Sequence, residues 1–215
     1  MVTDIKNLPS ILPLIPLQGA VLFPKGQLPL PIISPKHFSA VADVWHTHRV
    51  IGIVQPLDHE ELKRSPSFFK AGSAAKMTDL GEFDDGRLYV TVTGLCRFDI
   101  TEDLTPLGDV RRARVDYSAY ASDLVAEMDF SLDRPKLIKE LTTYFKRLEI
   151  DADFDEMHKI PNEKLITALA MACPLTSSER QALLQCSTIV EQSKLLTSLI
   201  EMANKEPNMF KITCH

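Results

Sequence analysis

Hydrophobic periodicity changes once along this chain, near Tyr120, and that change constrains the fold more than any single motif. Before it, apolar residues alternate or run in short β-branched stretches between prolines and an Asp-Gly turn, the two-residue period of strands. After it they recur every three or four residues between capping signals, the period of amphipathic helices. One change of period with no internal repeat predicts an α+β protein, strands first and helices after, rather than alternating βαβ units. We place a β subdomain at residues 1–120, an all-helical subdomain at 121–206 and a tail at 207–215.

Within the first half, Leu12-Pro-Leu-Ile-Pro-Leu17 reads as an edge strand, because proline lacks the N–H that a central strand donates. Residues 27–33 give a second strand. Pro35 then opens a helix through Trp45, with Phe38, Val41, Ala42 and Trp45 at helical spacing and Trp45 expected in the core. Residues 49–55, apolar and β-branched, read as a buried strand ended by Pro56. Asp84-Asp85-Gly86 lies between two alternating segments, 74–83 and 88–93, and predicts a hairpin, since Asp-Gly tolerates positive φ. Cys96, Phe98 and Ile100 continue the alternation after Gly94, and residues 110–117 supply a further strand. Six or seven short strands with one early helix suggest a small, strongly bent sheet or barrel.

In the second half, Asp133 precedes Pro135 and the periodic set Leu137, Leu141, Tyr144, Phe145 and Leu148, a capped amphipathic helix. Thr176-Ser-Ser-Glu179 has the form of a capping box, and Thr188-Ile-Val-Glu191 repeats it before a last helix through Leu195, Leu199 and Ala203. Leu165, Leu169, Leu183, Leu195 and Leu199 are expected to form one helical core.

Composition narrows the function classes. A chain that is 45% hydrophobic and 25% charged is that of a globular protein rather than a disordered or collagen-like one. The formal net charge is −5 and neither half is basic, which argues against non-specific binding to nucleic acid or anionic membrane. Cys96, Cys173, Cys186 and Cys214 have no metal-ligand spacing and read as reduced thiols of a cytoplasmic protein. The apolar stretch 8–23 is broken by Pro9, Pro13 and Pro16, so neither a signal peptide nor a membrane span is expected.

Five blocks in order resemble the N-terminal, substrate-binding domain of Lon proteases. They are Leu14-Ile-Pro-Leu-Gln-Gly-Ala-Val-Leu-Phe-Pro24, Leu28-Pro-Leu30, Asp84-Asp-Gly-Arg-Leu-Tyr-Val-Thr-Val-Thr-Gly-Leu-Cys-Arg-Phe98, Asn162-Glu-Lys-Leu-Ile-Thr-Ala-Leu-Ala-Met-Ala-Cys-Pro174 and Glu179-Arg-Gln-Ala-Leu-Leu184. The resemblance runs over about residues 12 to 203, and the helical blocks are similar to stand-alone bacterial members. It implies a PUA-like β-barrel followed by a helical subdomain, related to the Lon-type domain of cereblon, and a role in recognising protein substrates. The chain departs from the family at Ile32-Ile-Ser-Pro-Lys-His37, where stand-alone members commonly read Ile-Phe-Glu-Pro-Arg-Tyr, so any ion pair between those side chains is absent. Lys25 stands where a glycine is usual after Phe-Pro.

Catalytic and metal chemistry are not expected. No Gly-Lys dipeptide occurs, so no phosphate-cradling loop exists, and nothing resembles the separate domain that carries the Ser-Lys dyad of full-length Lon. His46 and His48, two apart on a helix, face about 200° from each other and cannot chelate together. Asp151-Ala-Asp-Phe-Asp-Glu156 lacks the glycine and glutamate of a calcium loop and reads as an acidic linker. In the basic cluster 111–114, Arg112 and Arg114 share one strand face while Arg111 points opposite. Metal and cofactor are therefore read as none. The partners read are unfolded or peptide segments of other proteins, and a protease, gripped through exposed aromatic anchors. Phe23, Phe68 and Phe69 are the candidate peptide-binding residues, the alternative for each being a lid tucked onto the core. An RNA-binding PUA-like domain and a scaffold protein are the competing functions.

Overall fold

The first half of the chain builds one sheet from six strands: β1 (Ile11–Pro16), β2 (Gln27–Pro31), β3 (Val50–Val54), β4 (Ala71–Glu82), β5 (Leu88–Leu107) and β6 (Val110–Asp116). The computed structural model describes residues 4–32, 35–57, 67–108, 110–125 and 130–205. The strand order is β2-β5-β4-β3-β1-β6, and β6 pairs with β5 as well, so the sheet closes into a ring through β5 and leaves β2 outside as its edge. A strand 20 residues long serves both neighbours: positions 89–93 carry β2, and positions 99–107 carry β6.

The edge therefore lies at a different proline-bearing strand from the one expected. β1 is central, flanked by β6 and β3. It tolerates two prolines because it changes partner midway: Pro13 is the last residue registered with β6, and Pro16 the last registered with β3. β2 is the edge. The Ile32 amide donates to the Leu88 carbonyl at 2.9 Å, so Leu28 and Leu30 direct their amides toward β5 by alternation, while Pro29 and Pro31 occupy the outward positions.

Two cores form, one on each face of the sheet. Ile15, Leu30, Ile51, Ile53, Met77, Val90 and Val92 fill the first, which helix α1 (Pro35–Trp45) covers with Val41 and Val44. Among the helix side chains described, only those two are buried; Trp45 is half-buried under the Arg49 guanidinium, Ala42 is exposed and Phe38 is 57% exposed. The second core holds Leu12, Leu14, Ala74, Cys96, Phe98, Ala113 and Val115. Phe98 fits there because Gly52 and Gly72 leave room, a Cβ on Gly72 falling 2.7 Å from its ring. The alternation expected through Cys96 and Phe98 does continue, but a bulge at Leu95 transfers it from the first core to the second. The hairpin forms over Asp84–Gly86, and Gly86 alone takes positive φ, at 83°.

Helices α2 (Arg134–Arg147), α3 (Phe154–Lys159), α4 (Asn162–Ala172), α5 (Ser177–Gln185) and α6 (Ile189–Lys205) follow. Asp133 caps α2, accepting from the Lys136 amide, and Thr176 with Glu179 completes a capping box on α5. At α6 the box is altered: Thr188 accepts from the Glu191 amide at 3.2 Å, but the Glu191 carboxylate takes the Ser187 amide instead. Leu137, Leu141, Tyr144, Leu165, Leu169, Leu183, Leu196 and Ile200 make the helical core. Leu195 and Leu199 only pack against it, because the helix turns Leu196 and Ile200 fully inward. The acidic segment is not a linker: Asp153 caps α3 through the Glu156 amide at 2.9 Å. No helix among the described residues is long and apolar enough to cross a membrane.

Candidate functional site

Sheet and helices meet along a seam built from side chains of both halves. After β1 the chain sends Val21 and Phe23 out of the sheet and into the helical core. The loop behind them is stitched to β5 at Gly94: the Lys25 amide donates to its carbonyl, and its own amide donates to Gly26, each at 2.9 Å. Only glycine fits at 94, since a Cβ would stand 2.1 Å from the Phe23 carbonyl oxygen. Lys25 adopts φ 65°, the left-handed geometry that a glycine would take without cost, and its ammonium pairs with Glu163 on α4 at 2.6 Å.

Arg97 is the second tie. Its side chain and that of Asp123 are 6% and 7% exposed, and the two make a bidentate pair at 2.7 and 2.9 Å. Asp123 arrives on a 3-10 turn, Ser118–Leu124, that follows β6 directly. The other end of the guanidinium donates to the Leu184 and Cys186 carbonyls at the end of α5, and the Tyr120 ring lies 4.6 Å beneath it. One arginine thus joins β5, the turn and α5. Gln181 extends the seam, donating to the Ala71 carbonyl at 3.0 Å and accepting from Gln55 at 3.0 Å. Arg180 reaches across to the Gly19 carbonyl.

Above these ties opens a cleft of about 200 Å³. Phe23 and Pro24 floor it, Val125, Phe130, Ile189 and Val190 supply apolar walls, and Glu163 and Thr167 close one side. Val125 is 55% exposed at its mouth. A second, more open cleft runs from Lys25 to Met171 and shares Glu163 and Thr167 with the first. Among the described residues the buried Glu163 Oε2 atom has no hydrogen-bond partner, although Oε1 holds Lys25.

The three phenylalanines singled out in the sequence do not come together. Phe23 is 1% exposed, so it is not a projecting anchor; packing among Leu, Ile and Tyr side chains of the helical core offers it more contact than solvent does. Phe68 and Phe69 are half-buried. Phe68 leans on the second sheet core with the Arg111 guanidinium 4.2 Å over its ring, and the Phe69 amide donates to Gln55. The basic cluster is dispersed by its neighbours: Arg111 pairs with Asp103, Arg114 with Glu102, each at 3.0 Å, and Arg112 donates to the Thr105 carbonyl. His48 accepts from the Val50 amide through Nδ1, and partial burial lowers its pKa. Among the described residues no three His, Cys, Asp or Glu side chains converge as metal ligands. His59 and Cys214 lie outside the described residues. Burial pushes the Cys96 and Cys173 thiols up to about 12, which keeps both protonated at neutral pH.

Sequence reasoning overlooked Arg97, Glu163 and the Val125, Ile189 and Val190 walls. An arginine inside the apolar run Leu95-Cys96-Arg97-Phe98 is a usable signal, since a charge placed in a core strand has a partner. Its partner stands 26 residues away and could not be named from the pattern.

Comparison with known proteins places this architecture. The family model for the ATP-dependent protease La (LON) substrate-binding domain matches residues 11–202. Lon protease 2 of Myxococcus xanthus is 26% identical over 212 residues, and the Lon protease of Anaeromyxobacter dehalogenans 24%; each match covers 97% of this chain and 25% of the relative. The chain thus spans about a quarter of the length of the curated relatives it matches. Among solved structures, the N-terminal domain of Mycobacterium avium complex Lon protease superposes with a TM-score of 0.64 at 17% identity, covering 89% of this chain and 98% of that one. A Lon N-terminal domain protein from Xanthomonas campestris gives 0.57 at 22% identity, covering 90% and 98%.

Proposed function

This chain belongs to the LON substrate-binding domain family, and from that premise we propose that it is a non-catalytic recognition module that takes apolar side chains of unfolded or peptide segments into the seam cleft. The cleft carries the reading. Capture of a disordered segment needs apolar surface available without unfolding the receptor, and Val125, Phe130, Ile189 and Val190 line such a surface over the buried Phe23. The buried Glu163 Oε2 beside it would accept a backbone or side-chain donor from the bound segment. Phe68 and Phe69 remain a second contact in this proposal, while Phe23 acts as floor. Hydrolysis is left to a protease partner, in keeping with the absence of a Gly-Lys phosphate loop and with thiols held protonated by burial.

The test is fluorescence anisotropy of a labelled unfolded peptide with wild-type protein and with Val125→Ser/Val190→Ser. Loss of a true anchor is expected to cost ~2 kcal/mol, near thirtyfold in affinity, with weak dependence on salt. Purified protein is expected to hydrolyse neither ATP nor casein. Tight binding of single-stranded RNA that collapses at higher salt, with no peptide binding, would replace this reading with an RNA-binding one.

A further inference from the structure

The sheet continues past the end of its core. Leu30, Val90 and Val92 are buried on one face of the β2–β5–β4 sheet together with Met77. Leu80 stands opposite Val90, and Glu82 opposite Leu88, so Leu80 and Leu88 lie on that same face toward the hairpin tip. A bulge at Thr78 turns Leu80 to this side; without the extra residue Leu80, three after Met77, would point the other way. Ile32, bonded to the Leu88 carbonyl, prolongs the face across β2. Among the described residues nothing covers this part of the face: Leu80 is 48% exposed and Leu88 40%. The opposite side of the hairpin covers itself, with Tyr89 over Gly81 and its ring 4.5 Å from Phe83.

Acidic residues outnumber basic ones around this overhang. Asp79, Glu82, Asp84 and Asp85 surround the tip, and Arg87 is held by Asp85 at 2.7 Å. Among the described residues, the side chains of Asp79, Glu82 and Asp84 make no hydrogen bond or ion pair. The neighbouring strand edge presents Pro29 and Pro31 outward, so a partner gains no amide donors there and cannot extend the sheet as a regular strand.

We infer that the overhang is a docking surface for extended polypeptide segments that set an apolar side chain on Leu80 and Leu88 beside a lysine or arginine that meets Glu82 and Asp84. This rests on the reading of the chain as a protein-recognition module, and it names the class of segment selected: apolar and basic, read through side chains. Apolar contact supplies the grip, and the carboxylates supply selectivity that weakens with salt.

The experiment uses two labelled unstructured peptides that differ only in carrying lysines or glutamates between the same leucines and phenylalanines. Binding is measured by anisotropy at two salt concentrations with wild type, Leu80→Ser/Leu88→Ser, Glu82→Gln/Asp84→Asn and Val125→Ser/Val190→Ser, each checked for fold by circular dichroism. The lysine peptide is expected to bind wild type about tenfold tighter than the glutamate peptide at low salt. Glu82→Gln/Asp84→Asn should remove most of that preference, and Leu80→Ser/Leu88→Ser should weaken both peptides about tenfold or more. Peptide binding that survives both hairpin variants and is lost only in the cleft variant sinks the overhang while sparing the recognition reading. Binding of neither peptide by wild type sinks both. A concentration-dependent dimer in sedimentation that Leu80→Ser/Leu88→Ser dissociates would assign the surface to a second copy of the chain and overturn the inference.

Discussion

Lys25 holds φ 65°, a left-handed geometry that glycine adopts without cost, at the position where the resemblance sets a glycine. A left-handed non-glycine residue costs about 1–2 kcal/mol, while its pair with Glu163, with side chains 35% and 18% exposed, contributes about 0–1 kcal/mol. Restoring glycine relieves the strain but adds freedom to the unfolded chain, worth about 0.4–1 kcal/mol. The terms nearly cancel, so Lys25→Gly is expected to stay within about 1 kcal/mol of wild type in urea unfolding. Lys25→Ala keeps the strain and loses the pair, and should fall below wild type by up to about 1 kcal/mol. An alanine variant as stable as wild type would show that the pair contributes nothing. The departure from glycine was legible in the sequence; the ion pair, made with a helix 138 positions away, was not.

At the scale of an element, α6 shows what a pattern resolves and what it leaves open. Ile189–Lys205 carries Leu195, Leu196, Leu199 and Ile200 as adjacent pairs. Either member of each pair sits at helical spacing, and periodicity alone cannot choose between two stripes set one residue apart. Docking chose Leu196 and Ile200, both 0% exposed. Leu196→Ala is accordingly expected to cost ~2–5 kcal/mol, while Leu195→Ala, half-buried, should cost ~1 kcal/mol. Equal losses in chemical denaturation would mean that α6 sits in another rotation. Strands repeat the lesson: the prolines of β1 read as marking an edge, but β2 carries prolines too, and only the pairing showed that β2 is the edge.

For the whole molecule, Arg97 joins sheet to helices, bonded to Asp123 on one side and to the Leu184 and Cys186 carbonyls on the other. Removing one partner from a buried ion pair leaves an uncompensated charge, so Asp123→Ala is expected to lower stability by ~3–5 kcal/mol. Replacing both, as Arg97→Met/Asp123→Leu, should recover much of that, because apolar side chains of similar volume avoid the desolvation cost. A double variant as unstable as the single one in guanidinium unfolding would show that the bonds from Arg97 to the Leu184 and Cys186 carbonyls matter more than the pair. The sequence by itself determined the α+β class, the early helix, the hairpin at Gly86 and the caps at Asp133 and Thr176, because each depends on backbone preferences and spacings within a few residues. Only the tertiary structure decided that Phe23 is floor rather than anchor, that β5 closes the ring, that bulges at Thr78 and Leu95 redirect its neighbours' faces and its own, and that a cleft opens along the seam. Those outcomes depend on which apolar surfaces meet across long sequence separations, and burial is non-directional: it rewards any close fit equally, so no local pattern records the partner.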